Sequence, residues 1–192
     1  MRDRYQVSGA RCQRVSPLAG VAKQGRFGAG KGAPGVQLSV RHPLVIVSVI
    51  ARKDKAEALS SALAGLSGCT VQWAGAEQYY AVSETHAEGV LHRELVEKLA
   101  GLASVADQSH GRVVIRIGGP KARQVLAKGT PVDLHTDEFP LGKSAVTQMA
   151  HVGVHLTRTG EDAFELSVFR GFAENFWKWL TGQAEEFGYQ VK

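Results

Sequence analysis

The sequence predicts an α+β fold made of two tandem split βαβ units, ferredoxin-like, with antiparallel sheets and their helices on one face. Three observations lead there. From Val36 to Ile117 the apolar residues switch between period two and helical spacing in the order β-α-β-β-α-β. From Arg112 a second β-α-β-β-α pattern begins, with room for a last strand at Tyr189 and Val191. Between them, Arg112 to His135 reads as strand, tight corner and short helix: Val113, Ile115 and Ile117 alternate, Gly118-Gly119-Pro120 breaks the strand, and Ala122, Val125 and Leu126 form one stripe.

Taken in order, order begins at Val36. Val36, Leu38 and Val40 alternate, and Leu44 to Ile50 is a buried strand rich in β-branched residues. Asp54 is placed to cap a helix whose inner face is Ala56, Leu59, Leu63 and Leu66. Thr70 to Trp73 and Glu77 to Ser83 are strands separated by a turn at Gly75. A helix from about Ala87 to Leu102 turns Leu91, Leu95, Leu99 and Leu102 inward. The strand Arg112 to Ile117 closes the first unit and opens the second. Pro120 suits the first position of the next helix, and Gly129 ends it with a residue able to take positive φ. Ala145 to Met149 and Val152 to Thr157 make one long or broken strand, and Phe164, Leu166 and Val168 return along it. The last helix runs from Gly171 to about Glu186, with Phe172, Phe176, Trp179 and Leu180 as its buried stripe. The domain organisation is then a flexible basic Gly-rich arm over 1–35, a first unit over 36–117 and a second over 111–192, together one compact domain.

Charge supports that division. Residues 1–41 hold eight Lys/Arg against the single acid Asp3, a net +7, while the remainder is −2. The basic character belongs to the arm, which suits an acidic groove on a partner protein or nucleic acid. The longest apolar run, Leu44 to Ala51, is far short of the roughly 20 residues of a membrane span. No N-terminal segment resembles a secretory signal, and Cys12 and Cys69 form no disulfide framework, so a cytoplasmic setting without membrane association is expected.

Few residues offer chemistry. Gly25 to Gly32 (GRFGAGKG) has the glycine and lysine spacing of a phosphate loop, but Gly32 replaces the magnesium-holding hydroxyl and no strand precedes it. His151 and His155 in HVGVH alternate with apolar residues, so they belong to a strand and stand roughly 13 Å apart, too far for one metal. Their expected place is a solvated or interface face. Asp133-Leu-His135-Thr-Asp137-Glu138 reads as a polar loop. Tyr79-Tyr80 invites base stacking, without the basic-aromatic block of an RNA-recognition domain. Trp177 points off the stripe of its helix, beside Phe169 or Phe172, as a protein–protein anchor would. Arg26 and Lys31 of the arm and Trp177 are the candidate partner-interface residues. No catalytic, cofactor-binding or metal-binding residue is assigned.

Three stretches carry a family resemblance: ADQSHGRVVIRIGGPKARQVLAKGTPVDLH, HVGVHLTRTGEDAFELSVFRGFAENFWKWL and WAGAEQYYAVSE, with the ending GYQV. They resemble the gamma subunit of heterotetrameric sarcosine oxidase. The resemblance implies a further relation, to the folate-binding aminomethyltransferase fold. It also implies a complex of alpha, beta, gamma and delta chains that oxidatively demethylates sarcosine to glycine and passes the one-carbon unit to tetrahydrofolate. FAD, FMN, NAD, tetrahydrofolate and zinc would sit on other subunits. In the aminomethyltransferases a strand ending in Gly-Gly-Ile is followed by acids that serve folate, whereas the comparable place here reads Gly153-Val154-His155-Leu156-Thr157. The implied role is therefore a structural and docking subunit whose basic arm wraps onto a larger partner. The competing expectations are a stand-alone folate-dependent aminomethyltransferase-like enzyme and an RNA-binding module.

Overall fold

A computed structural model of the chain describes residues 14–29 and 32–192. In chain order its elements are β1 (Gly25–Phe27), β2 (Val36–Arg41), β3 (Val45–Ala51), α1 (Ala56–Ala64), β4 (Thr70–Gly75), β5 (Gln78–Ser83), α2 (Val90–Lys98) and β6 (Ala103–Asp107). There follow β7 (Arg112–Gly118), α3 (Ala122–Ala127), β8 (Ser144–Met149), β9 (Val152–Gly160), β10 (Ala163–Phe169), α4 (Ala173–Ala184) and β11 (Tyr189–Val191). Among the described residues no helix is long and apolar enough to cross a membrane.

The strands form a seven-stranded sheet, β1-β11-β2-β7-β10-β9-β8, and a four-stranded sheet, β4-β5-β3-β6. All neighbours are antiparallel except β11 and β2, which run parallel. The chain is thus α+β with largely antiparallel sheets.

Strand alternation explains how the sheets stack. In β3, Val45, Val47 and Val49 join Leu59, Leu63, Leu91, Leu95 and Leu99 in a core beneath α1 and α2. In β7 and β10, Val113, Ile115, Ile117, Phe164, Leu166 and Val168 join Val125, Leu126, Phe176 and Leu180 beneath α3 and α4. The other faces meet each other: Leu44, Ile46, Tyr80 and Val82 of the small sheet pack on Val114 of the large one. The result is four layers, helices outside and sheets face to face within.

Several expectations are corrected by this pairing. The strand Arg112–Gly118 is not shared between two units; it pairs with β2 and β10 in the large sheet. The small sheet is closed by β6, a strand the sequence did not advertise because Ala103–Asp107 (ASVAD) is short and half polar. β2 joins the large sheet, lying between β7 and β11.

The arm is corrected too. Within 14–29 the chain is packed onto its own domain: Leu18 is fully buried in the large core, and β1 pairs with β11. Arg14 donates to Leu44 O at 2.8 Å and also to Ser109 O. Ala29 N–H reaches Glu185 O at 2.7 Å.

The glycine corner is real, with a different helix start. Gly119 takes φ 107, and a Cβ there would meet Gly35 O at 2.7 Å, so no side chain fits. Helix α3 begins at Ala122, two residues beyond Pro120. Gly129 does end the helix region, for a reason other than positive φ: a Cβ on it would enter the Trp179 ring. Asp54 does not cap α1; Lys55 stands at the N-cap and Asp54 has φ 63.

Candidate functional site

Polar and charged side chains gather in the layer between the sheets and at the corner where β1 and β11 meet α4.

The layer between the sheets is built by residues that alternate out of the apolar cores. Glu165 on β10 is 5% exposed at its side chain and accepts from Arg41 at 2.6 Å and Arg116 at 2.9 Å, one carboxylate oxygen serving both. Arg41 also meets Glu84 at 2.6 Å. Register explains the cluster, since Arg116 lies directly opposite Glu165 on one side and Ser39 on the other. The Arg112 guanidinium stacks on the Tyr80 and Phe169 rings at 4.7 and 4.4 Å.

His155 belongs to this layer. It lies 4% exposed, its ring edge-on to Tyr80, and its Nε2 lies 2.8 Å from Trp73 O. A carbonyl only accepts, so Nε2 carries the proton. Burial pushes its pKa below the ordinary value, with nearby Arg112 acting the same way against the opposing Trp73 bond and Glu165. The imidazole is neutral and ties β9 to β4. The expectation of a solvated or interface face for the pair is corrected for His155, a buried link between the chain's own sheets, while His151 is exposed at φ 64 just before β9. The two do not act together, and among the described residues no group of three or more His, Cys, Asp or Glu is placed to hold a metal ion.

A serine–histidine–glutamate string escaped sequence reasoning. Ser83 Oγ lies 2.8 Å from His86 Nδ1, and His86 Nε2 lies 3.3 Å from Glu94. It resembles a nucleophile relay only on paper. The buried Ser83 hydroxyl donates to Gly68 O at 2.8 Å and accepts the Thr85 and His86 N–H groups at 3.3 Å each. It closes the turn between β5 and α2. Nearby Cys69 is no activated thiol, because burial pushes its pKa up. The Asp133–Glu138 cluster is an exposed turn: Asp133 accepts the His135 N–H at 2.8 Å, and His135 and Asp137 stand 3.5 Å apart in solvent.

The corner at β1 carries two of the three partner-interface candidates, on different faces. Trp177 is 5% exposed, so the expectation of an exposed anchor is corrected. The buried stripe of α4 is Ala173, Phe176, Trp177, Leu180 and Ala184, whereas Phe172 precedes the helix in a 3₁₀ turn and is 52% exposed. One edge of Trp177 lines a cleft of about 380 Å³ with Val21, Lys23, Phe27, Lys178 and Tyr189. Phe27 stacks on Tyr189 at 5.3 Å, and burial raises the Tyr189 pKa. Arg26, exposed on the strand between Gly25 and Phe27, points to the opposite face of the sheet. Lys31 lies outside the described residues.

The fold is similar to that of the glycine cleavage system aminomethyltransferase T from Bartonella henselae, with a TM-score of 0.62 over 82% of this chain and 48% of that one. Identity there is 20%, which speaks to fold alone. The family is narrower: a profile described as "Sarcosine oxidase, gamma subunit family" matches residues 52–186, and the chain belongs to that family. A sarcosine oxidase subunit gamma from Corynebacterium sp. (strain U-96) is 32% identical over 127 residues, covering 64% of this chain and 59% of that protein. Another from Arthrobacter sp. is 35% identical over 122 residues, 62% of this chain and 59% of that protein. The chain thus matches about three fifths of the length of these curated relatives. An aminomethyltransferase from Saccharopolyspora erythraea is 34% identical over 118 residues, 59% of this chain and 32% of that protein. Among solved structures, a chain of the heterotetrameric sarcosine oxidase from Corynebacterium sp. U-96, in complex with pyrrole 2-carboxylate, has a TM-score of 0.76 and 27% identity, over 91% of this chain and 96% of that one.

Proposed function

We propose that the chain is the gamma subunit of a heterotetrameric sarcosine oxidase, a structural and docking component with no catalytic residues of its own. The observation that carries this reading is the likeness over nearly the whole of both chains to a chain of the Corynebacterium complex. In this reading the alpha, beta and delta chains hold FAD, FMN, NAD and zinc. The complex demethylates sarcosine to glycine and delivers the one-carbon unit to tetrahydrofolate.

The residues at the place comparable to the folate acids support a non-catalytic role. Leu156 is fully buried in the large core, Thr157 is bonded to Ser144 at 2.8 Å, and His155 is bonded to Trp73 O. None offers a carboxylate to a pterin. The two sheets are read as two split βαβ units of one compact domain, the smaller spanning 45–107.

Co-expression with the candidate alpha, beta and delta chains tests the proposal. The expected result is co-purification as one species with flavin absorbance and sarcosine-dependent peroxide formation. A chain that stays free of flavoprotein, or that turns over an N-methyl amine unaided, overturns it.

A further inference from the structure

We propose that the β1 edge of the large sheet takes an added strand from a partner: an extended segment in which an acidic residue sits between two apolar ones. This rests on the subunit reading above and names the docking chemistry of one surface.

Hydrogen-bond alternation sets which groups are free. Lys192 N–H donates to Leu38 O at 3.0 Å, so the even residues of β11 direct their backbone to β2. Tyr189 and Val191 then direct theirs to Phe27 and Gly25, their partners in β1. Arg26, between them, points its N–H and C=O outward from the edge of the sheet. The strand is held in place rather than loose. Leu18 anchors the approach to it, and Ala29 N–H bonds to Glu185 O at 2.7 Å just after it.

Side chains give the register. On the α4 face, Phe27 and Val21 are 41% and 43% exposed beside the cleft that Trp177 lines, so a residue beside Phe27 meets an apolar wall. On the other face the residue opposite Arg26 meets a guanidinium. The cleft mouth adds Lys23 and Lys178 against one acid, Glu174. Among the described residues none of Lys23, Arg26 and Lys178 is in an ion pair. A neighbour strand reading apolar–acid–apolar satisfies the free backbone, the wall and the charge together. A basic or uniformly polar segment satisfies at most the first.

The test follows the Arg26 amide by hydrogen exchange in the full chain. It is read free, with a synthetic peptide centred on valine–glutamate–valine, with a valine–lysine–valine peptide, and in the co-purified complex. The acidic peptide and the complex should each slow exchange by about tenfold or more. Arg26→Glu should lose the acidic peptide by about the same factor and gain the lysine peptide. Equal protection by both peptides, or none by either, overturns the proposal. Assembly with the Arg26 amide still exchanging freely sinks the edge as the docking site and leaves the subunit reading standing. Protection by the acidic peptide in a chain that joins no complex supports the edge and sinks the subunit reading.

Discussion

Glu165 is the clearest place to perturb the joint between the sheets. Its carboxylate is 5% exposed and accepts from Arg41, 14% exposed, and Arg116, 47% exposed. Glu165→Ala leaves Arg41 buried with only the outlying Glu84, so the cost follows from a guanidinium without its inner partner, about 3–5 kcal/mol for breaking a buried pair. Arg116 is half in water, and its share is discounted to under about 1 kcal/mol. In a chain of this size each kcal/mol moves the unfolding midpoint by about 2–4 °C, so Glu165→Ala should lower it by about 6 °C or more. Arg41→Ala should approach that loss, and Arg116→Ala should shift the midpoint by less than about 2–4 °C. Thermal unfolding followed by near-ultraviolet circular dichroism reads all three. The reasoning is refuted if Glu165→Ala melts with the parent chain, or if Arg116→Ala costs as much as Arg41→Ala.

Three further outcomes are expected. His155 has a folded pKa below its ordinary value of 6.5, so its contribution to stability is present above that pH and is lost as pH falls toward the folded pKa; His155→Gln should flatten this acid limb in denaturant titrations at stepped pH. Gly129→Ala should destabilise by about 1–3 kcal/mol through collision with the Trp179 ring, measured as a urea midpoint shift at constant slope. Leu18→Ala should cost about 2–5 kcal/mol, and limited proteolysis should then cut within 14–29, where the parent chain resists; equal resistance would show that this segment is not held by the core.

Large parts of the fold were legible because burial there is one-sided. α1 and α2 show leucines at three- and four-residue spacing since each covers a sheet with one face only. β3 and β7 show as dense apolar strands because helices lie on one side and a sheet on the other. The phase of α4 is hidden in the sequence because its aromatic residues fall on both sides of the stripe; Ala173 and Ala184 mark its buried face, and Phe172 lies outside it. His155 and Glu165 were illegible as core residues because a polar side chain signals solvent unless its partners are known, and those partners are remote in sequence: Trp73, Arg41 and Arg116. Residues 14–29 carry too few bulky residues to announce themselves; Leu18 alone supplies the anchor, and the pairing of β1 depends on β11 at the far end of the sequence.

The insertion of β11 between β1 and β2 bears on how the chain is made. The small sheet uses only 45–107, so its strands and both of its helices leave the ribosome before β7 and all that follows it, and can close first. The large sheet cannot. Val36 waits for Tyr189, and Gly25 for Val191, so the final partners of the early strands are synthesised among the last. Until then β2 has β7 on one side and nothing on the other, and β1 has no neighbour. A chain stalled before Tyr189 would therefore display an unfilled gap in the sheet and no finished edge strand. Synthesis itself thus works as a timer, so that the β1 edge, and whatever docks on it, comes into being only after the rest of the domain has been translated.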